Sequence, residues 1–347
     1  MPLSYSENQD KKNIVHLREL LSSLPLYCKD FFRSIEHRTT TRTRLAYAYD
    51  LGIFFKFLSE VNPSFKNKFP TIEELDNLSF MDIEEYMEYL KYHLNDNKKD
   101  VLNSEQGIKR KIASLKTFYN YFYKNELIKN NPALLVTMPK IRQKEIIRLE
   151  IDEVVKLLDA VESGEGLSSK ETSYHKKNKV RDIALLSLLL GTGIRVSECV
   201  GININDIDKE THGIRIHRKG GKEVIIYYSD EVSHYLNRYI DERKKIISND
   251  IYSEDALFLS LQNKRINVRS VENIVKKYSK IVVPLKHITP HKLRSTYGTN
   301  LYKETGDIYL VADVLGHEDV NTTKKHYAAI EEDRRRNARN IVKLRDN

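Results

Sequence analysis

Four short clusters concentrate the side chains able to do chemistry: GTGIRVSE (Gly191–Glu198), RKGGK (Arg218–Lys222), TPHKLRST (Thr289–Thr296) and LGHEDVNTTKKHY (Leu315–Tyr327). Arg195 and Arg294 each sit beside small residues where a turn runs into a helix pattern. Arginine keeps its charge and can hold two oxygens at once, which suits a reaction that builds negative charge on phosphoryl oxygens. Such a reaction also needs a nucleophile and a proton donor. A tyrosine hydroxyl attacks phosphorus once a neighbour takes its proton and nearby cations favour the phenolate. A lysine on a β-turn such as RKGGK can protonate a departing sugar oxygen. This set requires no metal and no organic cofactor.

Other chemistries lack their residues. GxxxxGK[ST] is absent, so nucleotide hydrolysis on a P-loop is unsupported, and without GxSxG there is no acyl-transfer elbow. His287 and His291 have the spacing of a zinc pair, but Pro290 between them interrupts a shared helix and no third ligand lies nearby, so no metal site is expected. Cys28 and Cys199 lie far apart in apolar contexts and form neither a disulfide framework nor a CxxC pair.

The elements that must position these clusters are mostly helical. Leu17, Leu20, Leu21 and Leu24 recur at helical spacing, as do Leu45, Tyr49, Ile53, Phe54 and Leu58 after a capping Thr cluster. A third helix pattern starts at Thr71 and breaks near Leu78. A fourth runs from Ser104 to about Leu127 and stops before Pro132. That fourth helix is amphipathic, and its polar face carries Lys109, Arg110, Lys111 and Lys116. The basic segment 138–149, with Lys140, Arg142 and Lys144, reads as an extended linker. Beyond it come a helix (IDEVVKLLDAVES), a polar loop (GEGLSSKETSYHKKNK) and a buried helix (RDIALLSLLLGTG) ending at a Gly-rich turn. GIRIHRKGGKEVIIYY then reads as a β-hairpin turning at Lys219–Lys222, followed by further helices. The division is therefore 1–140 for a helical first domain, 141–149 for the linker and 150–347 for a second domain with a tail helix.

The chain has 347 residues, enough for two domains. It is 40% hydrophobic and 31% charged with few Gly and Pro, a profile that excludes disordered and fibrous classes. No apolar run reaches a membrane span and no secretory signal is visible, so a cytoplasmic location is expected. Lys plus Arg exceed Asp plus Glu, 58 to 49, for a net charge of +9, which hints at a polyanionic partner.

The order and spacing of the four clusters resemble the tyrosine recombinase, or phage integrase, family. The family's Arg in a TGxRxSE-like turn falls on Arg195, with the supporting acidic position on Glu198. Its β-hairpin Lys falls on Lys219, its HxxR box on His291 and Arg294, its LGH box on His317, and its C-terminal Tyr on Tyr327. Ser295 follows Arg294 where many members have His, and ten residues rather than nine separate His317 from Tyr327. The wording is closest to Xer-type recombinases of the XerS-like branch.

The resemblance implies a fold and a mechanism. The fold would be mainly α with a small antiparallel β-sheet in the catalytic domain, joined to a SAM-like helical core-binding domain as a C-shaped DNA clamp. Tyr327 would attack the scissile phosphate and form a 3′-phosphotyrosyl link, with neither metal nor cofactor. Arg195 and Arg294 would clamp the non-bridging oxygens, aided by His317, and His291 would manage the tyrosine proton. Lys219 would protonate the 5′-oxygen, with Lys222 as the alternative donor. The partner implied is double-stranded DNA carrying a specific site, bound by a homotetramer, and the task is chromosome dimer resolution. Three alternatives stand beside it: a mobile-element integrase with the same chemistry, a non-catalytic DNA-binding protein on the same fold, and a topoisomerase acting on any duplex.

Overall fold

The computed structural model describes residues 5–66, 68–95, 97–140, 147–218, 221–248, 253–317 and 320. The chain divides into two compact units, residues 3–144 and 145–347.

The first unit contains helices α1 (Tyr5–Ser22), α2 (Cys28–Ser34), α3 (Thr41–Val61), α4 (Ile72–Asp76) and α5 (Phe80–Lys91). Strands β1 (Tyr92–Leu94) and β2 (Asp100–Leu102) follow, then α6 (Glu105–Lys124) and α7 (Pro132–Leu135). Side-chain caps set the starts. Thr40 accepts from the Thr43 amide, Ser79 from Asp82 and Ser104 from Gly107, as the Thr cluster and the break near Leu78 lead one to expect. The core is aromatic. Phe31 meets Phe118 edge-on at 5.3 Å, and Phe118 meets Phe122 at 4.9 Å. Each such pair adds about 0.5–1.5 kcal/mol beyond its burial. The antiparallel β1–β2 pair, with Tyr92 opposite Leu102, departs from the sequence expectation of one sheet in the second unit only.

The second unit contains α8 (Ile151–Ser163), α9 (Ser169–Thr192), α10 (Val196–Gly201), β3 (Ile207–Asp208), β4 (Gly213–His217) and β5 (Glu223–Tyr227). After these come α11 (Asp230–Arg243), α12 (Val268–Val282), α13 (Pro290–Thr305) and α14 (Ile308–Leu315). The α9 helix is central. Its residues Ile183–Leu189 are buried, and it packs against α8, α11 and α13. The expected polar loop over residues 164–179 is mostly helix, because Ser168 and Glu171 form a capping box that starts α9 at Ser169. Its polar turns are satisfied largely by α12. Tyr278 donates to Asp182 at 3.0 Å, His175 meets the same hydroxyl at 3.0 Å, and Arg181 and Lys277 pair with Asp182.

The sheet order is β3–β4–β5, antiparallel throughout, with Ile214 opposite Ile226. Ile214 and Ile216 face the core, while Arg215 and His217 face out. Among the described residues no helix is long and apolar enough to cross a membrane.

Candidate active site

The site is built around the last turn of α14. Gly316 ends that helix in the left-handed region (φ +62°), its amide donates to Asp313 O, and the His317 amide donates to Ala312 O. This Schellman closure leaves the carbonyls of Val314, Leu315 and Gly316 pointing past the helix end, each needing a donor. Three arginines from three other segments supply them. Arg195 donates through Nη2 to Gly316 O at 3.0 Å, Arg294 through Nη2 to Leu315 O, and Arg218 through Nη2 to Val314 O at 2.8 Å. A helix C-terminus carries roughly half a negative charge, so each cation there is favourable by about 0.3–1 kcal/mol, and by up to about 2 where partly buried.

Each guanidinium is held a second time. Glu198 accepts from Arg195 Nη1 at 2.9 Å and from the Arg195 backbone amide at 2.8 Å, closing the first turn of α10 as it orients the side chain. Arg294 donates through Nη1 to Gly193 O at 2.6 Å, tying α13 to the turn that ends α9. Gly193 is itself left-handed (φ +62°), and a Cβ there would lie 2.4 Å from the Tyr297 ring. Glycine is therefore required at this turn by both backbone and packing. Arg294 is buried at 5% exposure, whereas the Arg195 side chain is 40% exposed. Arg195 thus forms the open side of the site and Arg294 its floor.

His291 is exposed in the first turn of α13, one turn before Arg294 and on the same side of the helix. Because α13 begins at Pro290, His287 lies outside it and the two histidines do not share a helix. The start of α13 and the residues just before it are also joined to the end of the linker segment: the Leu149 amide donates to Thr296 Oγ1 at 3.0 Å, and Lys286 Nζ donates to Arg148 O at 3.3 Å. Lys222 is exposed at the base of the β4–β5 turn. Lys219 and Tyr327 lie outside the described residues.

Two further potential nucleophiles near these turns, Cys199 and Tyr297, are shifted toward their protonated forms. Cys199 is buried, and its thiol is pushed up to about 12 by burial and by the neighbouring Glu198 charge. Burial also raises Tyr297 above the ordinary phenol value, and this ring packs against the Gly193 turn.

The basic residues of α6 are more committed than their sequence suggests. Arg110 makes a two-armed pair with buried Asp50 at 2.5 and 2.6 Å. Lys111 donates to Asn103 Oδ1 at 3.0 Å and Lys116 to Val136 O at 3.3 Å. Lys109 and Lys140 are exposed. Arg142 and Lys144 lie outside the described residues. Arg218 carries no signal in the spacing of RKGGK, and only its tertiary contacts single it out.

A family model described as "Phage integrase family" matches residues 147–334. The chain is 32% identical over 304 residues to Tyrosine recombinase XerC of Caldanaerobacter subterraneus subsp. tengcongensis, covering 85% of this chain and 80% of the relative. It is 31% identical over 298 residues to Tyrosine recombinase XerD of Oceanobacillus iheyensis, covering 85% and 91%. In fold it is similar to XerH site-specific recombinase in a post-cleavage complex with palindromic difH substrate, with TM-score 0.68, 18% identity, and coverage of 95% of this chain and 88% of that one. With the family model over more than half its length and relatives above 30% identity, the chain belongs to the phage integrase family: it is a tyrosine recombinase, an enzyme that breaks and rejoins DNA.

Proposed function

We propose that the chain is a Xer-type recombinase that exchanges strands at a specific duplex site to resolve chromosome dimers, acting as a homotetramer through Tyr327. The observation that carries the reading is the meeting of Arg195 and Arg294 on the turn just before His317. The XerC and XerD relatives support the Xer assignment.

In this reading the Tyr327 oxygen bonds to the scissile phosphorus as the bond to the 5′-oxygen breaks. The tyrosine proton passes toward His291, and the 5′-oxygen takes a proton from Lys219 or Lys222. Arg195 and Arg294 share the charge that develops on the non-bridging oxygens, and His317 adds a hydrogen bond. Such donors act strongly because they are fixed in advance, and Glu198 and Gly193 O supply that fixing here. The phosphotyrosyl bond keeps the energy of the broken ester, so a hydroxyl of the partner strand can reverse the step on the other duplex. The first domain, expected over residues 1–140, acts as a core-binding domain. Lys109, Lys140, Arg142 and Lys144 hold the phosphate backbone, which makes binding strongly salt-dependent, while Arg110, Lys111 and Lys116, expected on the same basic face, are engaged within the domain.

The test uses duplexes selected for tight binding and nicked near the bound site, so that a cleaved strand diffuses away. Wild type is expected to accumulate a covalent complex that survives denaturant, and Tyr327→Phe to bind the duplex without forming it. A covalent complex with Tyr327→Phe overturns the nucleophile assignment. None with wild type overturns the reading.

A further inference from the structure

Arg218 stands at the base of the β4–β5 turn. Its amide donates to Lys222 O at 2.8 Å, and its carbonyl accepts from the Gly221 amide at 3.2 Å. Its side chain leaves the sheet and crosses to α14, where Nη2 reaches Val314 O at 2.8 Å and Nη1 reaches Asp313 O at 3.4 Å. The guanidinium lies against Gly316, so closely that a Cβ at that position would fall 2.2 Å from Nη1. Its Nε is buried and has no partner among the described residues. The outward strand residues beyond the turn are exposed, Ile225 at 60% and Tyr227 at 64%. That face of the sheet is therefore uncovered at these positions.

We propose that Arg218 is a positioning residue that latches the β4–β5 hairpin to the final turn of α14, setting the turn lysine and the His317 turn as one unit. This rests on the recombinase mechanism above, in which a lysine of the Lys219–Lys222 turn protonates the leaving 5′-oxygen. The planar fork of arginine holds its donors in fixed directions toward two successive carbonyls, which the freely rotating ammonium of lysine does not. Gly316 serves the latch twice, by its left-handed backbone and by leaving room for the guanidinium. Arg195 and Arg294 hold the other two carbonyls of the same turn, so the position of the proton donor is referenced to the groups that hold the phosphate.

The experiment compares cleavage by wild type and Arg218→Ala on two nicked duplexes. One carries the ordinary phosphodiester. The other has sulfur in place of the bridging 5′-oxygen, whose bond to phosphorus breaks to release a thiolate that needs no proton. Melting temperature and duplex binding are measured alongside. Arg218→Ala is expected to slow cleavage of the ordinary duplex by roughly 10²-fold, the scale of a misplaced proton donor, and to match wild type on the sulfur duplex. Equal slowing on both duplexes, or none on either, overturns the latch. If Arg218→Ala does not fold, the same ratio read on Arg218→Lys decides, with partial slowing and full sulfur rescue expected. A wild type inactive on both duplexes overturns the underlying recombinase mechanism, a result distinct from failed rescue.

Discussion

Arg195 and Arg294 are 99 positions apart, yet they donate to adjacent carbonyls, Gly316 O and Leu315 O, at the end of one helix. Helix α14 thus acts as a jig. Its C-terminal carbonyls bring together two cations, one from the cap of α10 and one from α13, and the next residue is His317. A guanidinium carries five N–H donors, and those of Arg195 and Arg294 reach Glu198, Gly193 O, Leu315 O and Gly316 O.

Glu198→Gln should lower the rate of covalent-complex formation by about 10–10²-fold while leaving duplex binding within experimental error. Glu198 is buried and holds Arg195 by both side chain and backbone. The neutral amide keeps the shape but loses the charge-assisted bond. Single-turnover cleavage together with a binding isotherm checks this, and parallel losses in both contradict it.

Gly316→Ala should cost about 1–2 kcal/mol from the left-handed backbone alone, more once the Cβ meets the Arg218 guanidinium. Denaturant unfolding reads the loss. A midpoint equal to wild type contradicts the packing described for this turn.

The α6 cations should separate by role. Lys109→Ala is expected to leave stability unchanged and to reduce the slope of log binding constant against log salt by about one. Arg110→Ala should instead destabilise the first unit, because it strands the buried Asp50 carboxylate; half exposure of Arg110 keeps the cost below the roughly 3–5 kcal/mol of a fully buried pair. Paired melting and salt-titration curves distinguish the two.

The His175–Tyr278–Asp182 network predicts a pH effect. Burial and nearby Lys277 hold His175 below its ordinary value of 6.5, so the folded chain keeps it neutral where the unfolded chain takes up a proton. Stability is therefore present above about pH 6.5 and is lost as pH falls toward the lower folded-state value. His175→Gln should flatten the fall in melting temperature between pH 7.5 and 5.5. An unchanged slope contradicts the assignment. Tyr278→Phe, which removes the hydroxyl shared by His175 and Asp182, should cost about 1–3 kcal/mol at any pH in that range.

Much of this architecture is legible in the chain because local chemistry dictates it. Thr40 and Ser104 cap where hydroxyls precede apolar periods, the helix pattern breaks near Leu78, and α9 stops at left-handed Gly193. The start of α9 is not legible by periodicity, since its inward stripe there is His175 and Asp182 instead of hydrophobic residues. The β1–β2 pair is hidden because Tyr92–Leu94 continues the apolar pattern of α5 and turns aside only through pairing with Asp100–Leu102. In the site, Arg195, Glu198 and Arg294 stand out by motif. The use of Arg110 by Asp50, 60 residues away, and of Arg218 by α14, about 95 away, are tertiary facts that no spacing encodes.

If Arg195 and Arg294 act on the oxygens of one phosphate, removing the charge of that phosphate tests it most directly. The rate of covalent-complex formation by Arg195→Ala is compared on the ordinary duplex and on one whose scissile phosphate is a neutral methylphosphonate. On the ordinary duplex the variant should lose about 10²–10³-fold, the effect of removing one preorganised donor from a developing oxyanion. On the methylphosphonate duplex, where the charge that Arg195 neutralises is gone, the variant should regain the rate of wild type on that same duplex. The same loss on both duplexes would contradict the account, because Arg195 would then be serving the fold of the turn and not the phosphate.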